Sequence, residues 1–236
     1  MRRSGGWPTV LRDVVTIVVI AVVVSALVKT FVVRSFYIPS ASMEQTLRID
    51  DRILVDELTP RWSGYDRGDV VVFADPGGWL PPATRSRQSP LEAGADALLG
   101  LVGFPDRDSD THLVKRVVGL PGDHVVCCNP LGQVSVNDVP IDELGYVHLP
   151  PGDTAASRVP FDVIVPSGSL WVLGDNRSAS ADSRSHTDQP GGGFVPIGNV
   201  VGRAFLRTWP ISQIGAIASQ RAAFSGVPEA EPAPSP

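Results

Sequence analysis

Cysteine is scarce in this chain of 236 residues: Cys127 and Cys128 stand side by side and there are no others. With no Cys-x-x-Cys pair and no mixed Cys/His spacing, a metal site has nothing to build on, and no cofactor is expected. The adjacent pair leaves two readings open, a strained vicinal disulfide or two half-buried strand residues. Histidine is scarce too, at positions 112, 124, 148 and 186. Excess positive charge is missing: the formal net charge is -5, and no basic stripe interleaved with aromatics occurs. Both facts argue against a nucleic-acid partner. Internal repeats are lacking. What the chain has in quantity is glycine (23) and proline (22), which suits many short strands joined by turns rather than long helices. At this length it can bury a sizeable core, as one large or two small domains.

Only one long apolar run exists, at 14–33. Val14 to Val28 carry no charge, apolar character resumes at Phe31–Val33, and Lys29 lies near the end, where its stem reaches an interface. As a helix the run spans roughly 30 Å, one hydrocarbon core, so the lipid bilayer is an expected partner. Arg2, Arg3 and Arg12 precede it with only Asp13 opposing. This bias puts residues 1–13 in the cytoplasm and everything after Arg34 outside. A cleaved secretory signal ending at Val24-Ser25-Ala26 is the competing reading. The apolar character continuing past that point favours a retained helix.

Beyond the run, strands are predicted at Arg52–Glu57, Asp69–Phe73, Leu113–Val118, His124–Cys127, Gln133–Val136, Asp162–Val165, Leu170–Leu173 and Val200–Leu206. Their spacing predicts a mainly β protein. The fold class is an antiparallel β-barrel or sandwich with an inserted small β subdomain, preceded by one N-terminal transmembrane helix. Residues 36–73, 111–123 and 167–209 are assigned to the main β domain and 124–166 to the small subdomain. Residues 74–110 form an insertion. In it Trp79, Leu80 and the Leu98–Val102 cluster either rest on the bilayer surface or belong to a partly disordered excursion. Residues 210–236, ending in an Ala/Pro/Glu/Ser-rich run, are expected to be disordered.

Three stretches carry candidate chemistry. In Tyr37–Leu47, Ser40 and Ser42 follow Pro39 just after the apolar run. In His112–Asp123, Lys115 interrupts an apolar, β-branched strand. Gly174–Arg184 is too polar for core and too dense in hydrogen-bonding groups for a linker. Singly, such serines are turn residues and such a lysine faces solvent. Together they supply each other's deficiency. A serine hydroxyl needs a base near neutral pH, and a lysine among apolar neighbours loses its proton more readily than one in water.

The order of these stretches resembles the bacterial type I signal peptidases. Pro39-Ser40-Ala41-Ser42-Met43 with Thr46-Leu47 is similar to the family's nucleophile box. Arg67–Phe73 is similar to its next strand, Lys115–Asp123 to its lysine box, and Gly174–Arg184 to its last box. The resemblance implies a serine endopeptidase that removes signal peptides from exported preproteins after small residues of the Ala-x-Ala type. Ser42 would be the nucleophile forming an acyl-enzyme and Lys115 the general base. Ser40 would join the Ser42 N–H in the oxyanion hole, and Ser180 would hydrogen-bond the lysine amine. Asp182 and Arg184, with Asp175 and Arg177, would form an ion-paired scaffold. Ile38, Met43, Leu47, Ile53, Leu113 and Val114, with Phe36 at the rim, would line the substrate pockets. It also implies a bacterial plasma-membrane location, with the secretion machinery nearby.

Some positions depart from the pattern. Ala41 stands where glycine is common, Gln45 where proline is common, and Ser178-Ala179 replace more polar residues. The segment 75–110 has no family counterpart. Eukaryotic and archaeal relatives carry histidine at the position of Lys115, so lysine points to the bacterial type. Two other classes compete: self-cleaving repressors, which carry a helix-turn-helix instead of a membrane run, and a tethered β-domain binding an envelope partner through the Trp79 insertion.

Overall fold

A single helix leads into two antiparallel sheets in the computed structural model, which describes residues 7–31, 33–81 and 111–230. The larger sheet contains β1 (Val33–Tyr37), β2 (Arg52–Asp56), β3 (Val70–Ala74), β4 (His112–Gly119), β9 (Ser169–Leu173), β10 (Val195–Pro196), β11 (Val200–Trp209) and β12 (Gly215–Ala216). Its order is β1-β2-β11-β3-β4-β9-β10, with β12 on β11. The smaller sheet contains β5 (His124–Cys127), β6 (Val134–Val136), β7 (Val139–Pro140) and β8 (Phe161–Ile164), in the order β7-β6-β5-β8.

The strand sequences explain their places. Arg52-Ile-Leu-Val-Asp56 alternates, and Ile53 and Val55 are its two fully buried positions. Val70-Val-Val-Phe73 does not alternate, because β3 is covered on both faces. Val70 and Val72 join Phe36, Ile38, Met43, Leu47, Ile53 and Val55 in one cluster. Val71 and Phe73 join Trp79, Leu113, Val117 and Leu170 in another. The small sheet has no separate interior: Val125, Val134, Val136 and Phe161 pack with Val118, Trp171, Leu173 and Phe224.

Four findings differ from the sequence-based expectation. The sheet does not close into a barrel, since among the described residues β1 and β10 do not pair with each other. The helix, α1 (Trp7–Phe31), begins and ends earlier than 14–33, because Val33 already pairs with Asp56 in the β1–β2 ladder. Trp79 does not face a bilayer: it is 8% exposed and packed between Phe73 and His186. Lastly, the chain from 210 to 230 is structured. Ile217 N–H bonds Phe205 O at 2.9 Å, Gln220 N–H bonds Gly68 O at 3.2 Å, and Phe224 enters the core. A few apolar anchors outweigh the disorder-prone composition there. The expected Leu91–Val102 helix and residues 231–236 lie outside the described residues.

Every residue of α1 whose burial is described is exposed. Those side chains end at Val22, and among the described residues no helix is long and apolar enough to cross a membrane.

Candidate active site

Ser42 sits in a single 3-10 turn, Ala41–Met43, entered from extended Ser40. A turn this short leaves its first N–H groups without helical partners. Among the described residues nothing takes the Ser42 N–H, while Glu44 N–H closes the turn on Ala41 O at 3.0 Å. Met43 and Leu47 on the same loop are buried beneath it, so the core fixes the backbone that carries the hydroxyl.

Lys115 arrives from β4, paired to Val71 of β3. Its Nζ stands 2.9 Å from Ser42 Oγ and donates to Val114 O at 3.0 Å. Only 3% of the residue is exposed. Burial disfavours the ammonium form and brings the amine from its ordinary 10.5 down to about 8; Asp182 and Asp175 oppose the shift and Arg184 adds to it. A neutral amine has one lone pair and two N–H groups. With the lone pair toward Ser42 and one N–H on Val114 O, one N–H remains.

Ser40 Oγ lies 3.3 Å from Ser42 Oγ. Ser180 Oγ is close enough to Asp182 to help lower that carboxyl, yet it meets no partner at hydrogen-bond geometry. The bond expected between Ser180 and the amine is therefore not made in this structure. The hydroxyl is nonetheless beside the site, because a Cβ built on Gly174 would overlap both Ser180 Oγ and Ser42 O. Gly174 is thus glycine for want of space.

The polar loop holds the site through more partners than its own sequence suggests. Asp182 and Arg184 pair, with Nη2 to Oδ2 at 2.7 Å and Asp182 Oδ2 accepting Gly174 N–H at 2.9 Å. Burial alone would raise the Asp182 carboxyl, but the Arg184 hydrogen bonds and charge, the Gly174 N–H and the Ser180 hydroxyl together hold it below the usual carboxylate range. Asp175 and Arg177 do not complete that network. Asp175 takes two bonds from Arg116 of β4, and Arg177 pairs with Glu143 of the small-sheet segment. Asn176 N–H bonds Ser42 O at 3.1 Å, tying the loop to the serine's own carbonyl. Arg116 lies in the lysine stretch, where no role is assigned to it, and Glu143 lies in none of the three stretches; their pairings appear only when the strands are assembled.

A cavity of about 220 Å³ opens beside the pair, lined by Phe36, Tyr37, Ile38, Pro39, Ser40, Ser42, Met43, Leu80, His112, Leu113, Val114 and Lys115. Five of the seven predicted pocket residues line it. Leu47 and Ile53 do not; both are fully buried in the core beneath. Tyr37, Pro39, Leu80 and His112 are additions. One edge of β4 faces this cavity. β3 pairs with His112–Arg116 on the other side, and β9 joins only from Arg116 onward. Among the described residues no strand pairs with Leu113–Lys115 on the cavity side. Among them also, no cluster of His, Cys, Asp and Glu could hold a metal ion. The Cys127 and Cys128 sulfurs are in bonding contact at the end of β5, outside this cavity.

A serine hydroxyl in contact with a buried amine, at the end of an apolar slot beside a strand edge unpaired among the described residues, is an arrangement suited to a hydrolase. The comparisons give the family. The family model for signal peptidase, peptidase S26, matches residues 11–209. The chain is 38% identical over 231 residues to signal peptidase I of Mycobacterium tuberculosis, covering 89% of this chain and 76% of that protein. It is 38% identical over 207 residues to a probable signal peptidase I of Mycobacterium leprae, covering 77% and 70%. To a probable signal peptidase I-2 of Synechocystis it is 36% identical over 200 residues, covering 84% and 74%. This chain belongs to the S26 signal peptidase family, and it is a serine peptidase.

Proposed function

We propose that the protein is a membrane-anchored endopeptidase that removes signal peptides from exported preproteins after small residues, through an acyl-enzyme on Ser42 with Lys115 as base. The observation that carries this reading is the 2.9 Å approach of Lys115 Nζ to Ser42 Oγ where the amine is buried. The preprotein enters as an added strand between Ile38–Ser40 and Leu113–Lys115, so main-chain bonds hold it regardless of sequence. Small side chains fit the cavity and large ones clash, which gives an Ala-x-Ala preference. Ser42 Oγ attacks the scissile carbonyl carbon as its proton passes to Lys115 Nζ. The oxyanion is received by the Ser42 N–H and the Ser40 hydroxyl. The lysine ammonium then protonates the leaving amine, and water, deprotonated by the same amine, hydrolyses the ester. Ser180 takes the remaining N–H of the amine once substrate fills the slot. Asp175, Arg177, Asp182 and Arg184 act as scaffold.

The anchor is the apolar run over 14–33, most of it carried by α1, whose exposed valines and isoleucines need a nonaqueous neighbour. The arginines before it keep the N-terminus in the bacterial cytoplasm and the peptidase outside, near the secretion machinery that delivers its substrates. The test is cleavage of a preprotein with an Ala-x-Ala site by detergent-solubilised enzyme. Loss of the presequence with unaltered enzyme but not with Ser42→Ala supports the reading, and equal cleavage by both contradicts it.

A further inference from the structure

Leu80 belongs neither to the serine loop nor to β4, yet it walls the cavity beside them. It comes from the turn that follows β3. The Asp75 carboxylate accepts the N–H groups of Gly77 (2.9 Å), Trp79 (3.0 Å) and Leu80 (3.2 Å), and Gly77 and Gly78 take the positive φ that this winding requires. Trp79 then lies flat on His186, with ring centroids 4.2 Å apart and planes 4° apart. His186 Nδ1 is 2.7 Å from Asp182 O, on the loop that borders the dyad. Leu80, half-buried, packs against the cluster of Val71, Phe73, Trp79 and Leu113. The turn is therefore fastened at both ends to the catalytic part of the fold.

We propose that Leu80 is a specificity-determining residue, setting the size of the subsite for the third substrate residue before the cut. This rests on the peptidase reading above. The slot is closed beyond Arg116 by β9, so the peptide before the scissile bond runs from Lys115 toward the start of β4. Its third residue, on the same face as the first, falls about 7 Å further along. Asp75 N–H bonds Thr111 O at 3.4 Å, so the turn delivers Leu80 at that end. The first residue lies about 7 Å back along the strand, at Ser42 and Lys115.

The experiment uses full-length enzyme in detergent and four preproteins that differ only in carrying Ala, Val, Leu or Phe at that third position, cleaved in competition. Leu80→Ala raises the kcat/KM ratio of the Leu to the Ala preprotein by about tenfold or more. Leu80→Phe shifts preference the other way, against Val and Leu. Preference for small residues at the first position stays as in the unaltered enzyme. A wild-type third-position preference in both variants, or an equal fall on all four preproteins, overturns the assignment. Failure of the unaltered enzyme on the Ala preprotein would instead overturn the peptidase reading itself.

Discussion

Arg116 and Asp175 meet through two hydrogen bonds, Nε to Oδ1 at 2.8 Å and Nη2 to Oδ2 at 2.6 Å, and both residues are 1% exposed or less. Arg116 follows the dyad lysine on β4, and Asp175 follows Gly174 on the polar loop. This pair therefore clamps the two elements that must stay in register. Thr46 of the serine loop joins it, donating to Asp175 and accepting from Arg116 at 3.0 Å. Asp175→Ala leaves a buried guanidinium without its counter-charge and is expected to lower unfolding stability by about 3–5 kcal/mol. Denaturant titration measures it; a loss under about 1 kcal/mol would mean the clamp is not structural.

Gly174→Ala tests the space between the serine and the loop. The added methyl must displace Ser180 or the Ser42 carbonyl. A misplacement on the order of 1 Å in a catalytic pair costs roughly a hundredfold in rate. The expected outcome is a kcat fall of about that size with the circular-dichroism spectrum preserved. Unchanged kcat would show that the loop yields freely.

Lys115→Met separates chemistry from packing. Cleavage is expected to fall by about a thousandfold or more, as when a serine loses its base. Stability moves the other way. Burial lowers the amine's pKa, so between about 8 and 10.5 the unfolded chain still holds a proton that the folded one has lost. Stability of the unaltered enzyme therefore rises with pH across that window, and the burial cost is felt in full below it. Lys115→Met removes that rise and gains up to about 3 kcal/mol at pH 7, less whatever the lost hydrogen bonds contributed. Thermal unfolding from pH 7 to 10.5 compares the two; identical slopes would contradict the buried neutral amine.

Ser180→Ala addresses a bond that this structure does not contain. If substrate brings the hydroxyl to the free N–H of Lys115, the variant loses about ten- to a hundredfold in kcat with KM unchanged. Unaltered kcat would reduce Ser180 to packing against Gly174.

Much of this arrangement was legible in the sequence. The strands expected at Arg52–Glu57 and Asp69–Phe73 are β2 and β3, and the order of the serine, lysine and last stretches pointed to one site. What escaped was set by assembly. Arg116 looks like a strand charge until β4 meets Asp175, and Glu143 has no motif around it. Leu47 and Ile53 carry the right chemistry for a pocket but lie one layer below it. Leu80 was hidden because its turn depends on Asp75 capping three N–H groups, a pattern that a loop composition does not reveal. The structured stretch to 230 was hidden for a similar reason: its few anchors, Ile217 and Phe224 among them, are diluted by Ala, Ser and Gln.

The pH dependence of kcat/KM for one Ala-x-Ala preprotein tests the central claim most directly, because it reports the ionisation of the free enzyme's base. With Lys115 neutral in its working form, the rate is expected to rise with pH and level off through an apparent pKa of about 8. A profile already level at pH 7, or one following a histidine near 6.5, would mean that another group takes the proton from Ser42.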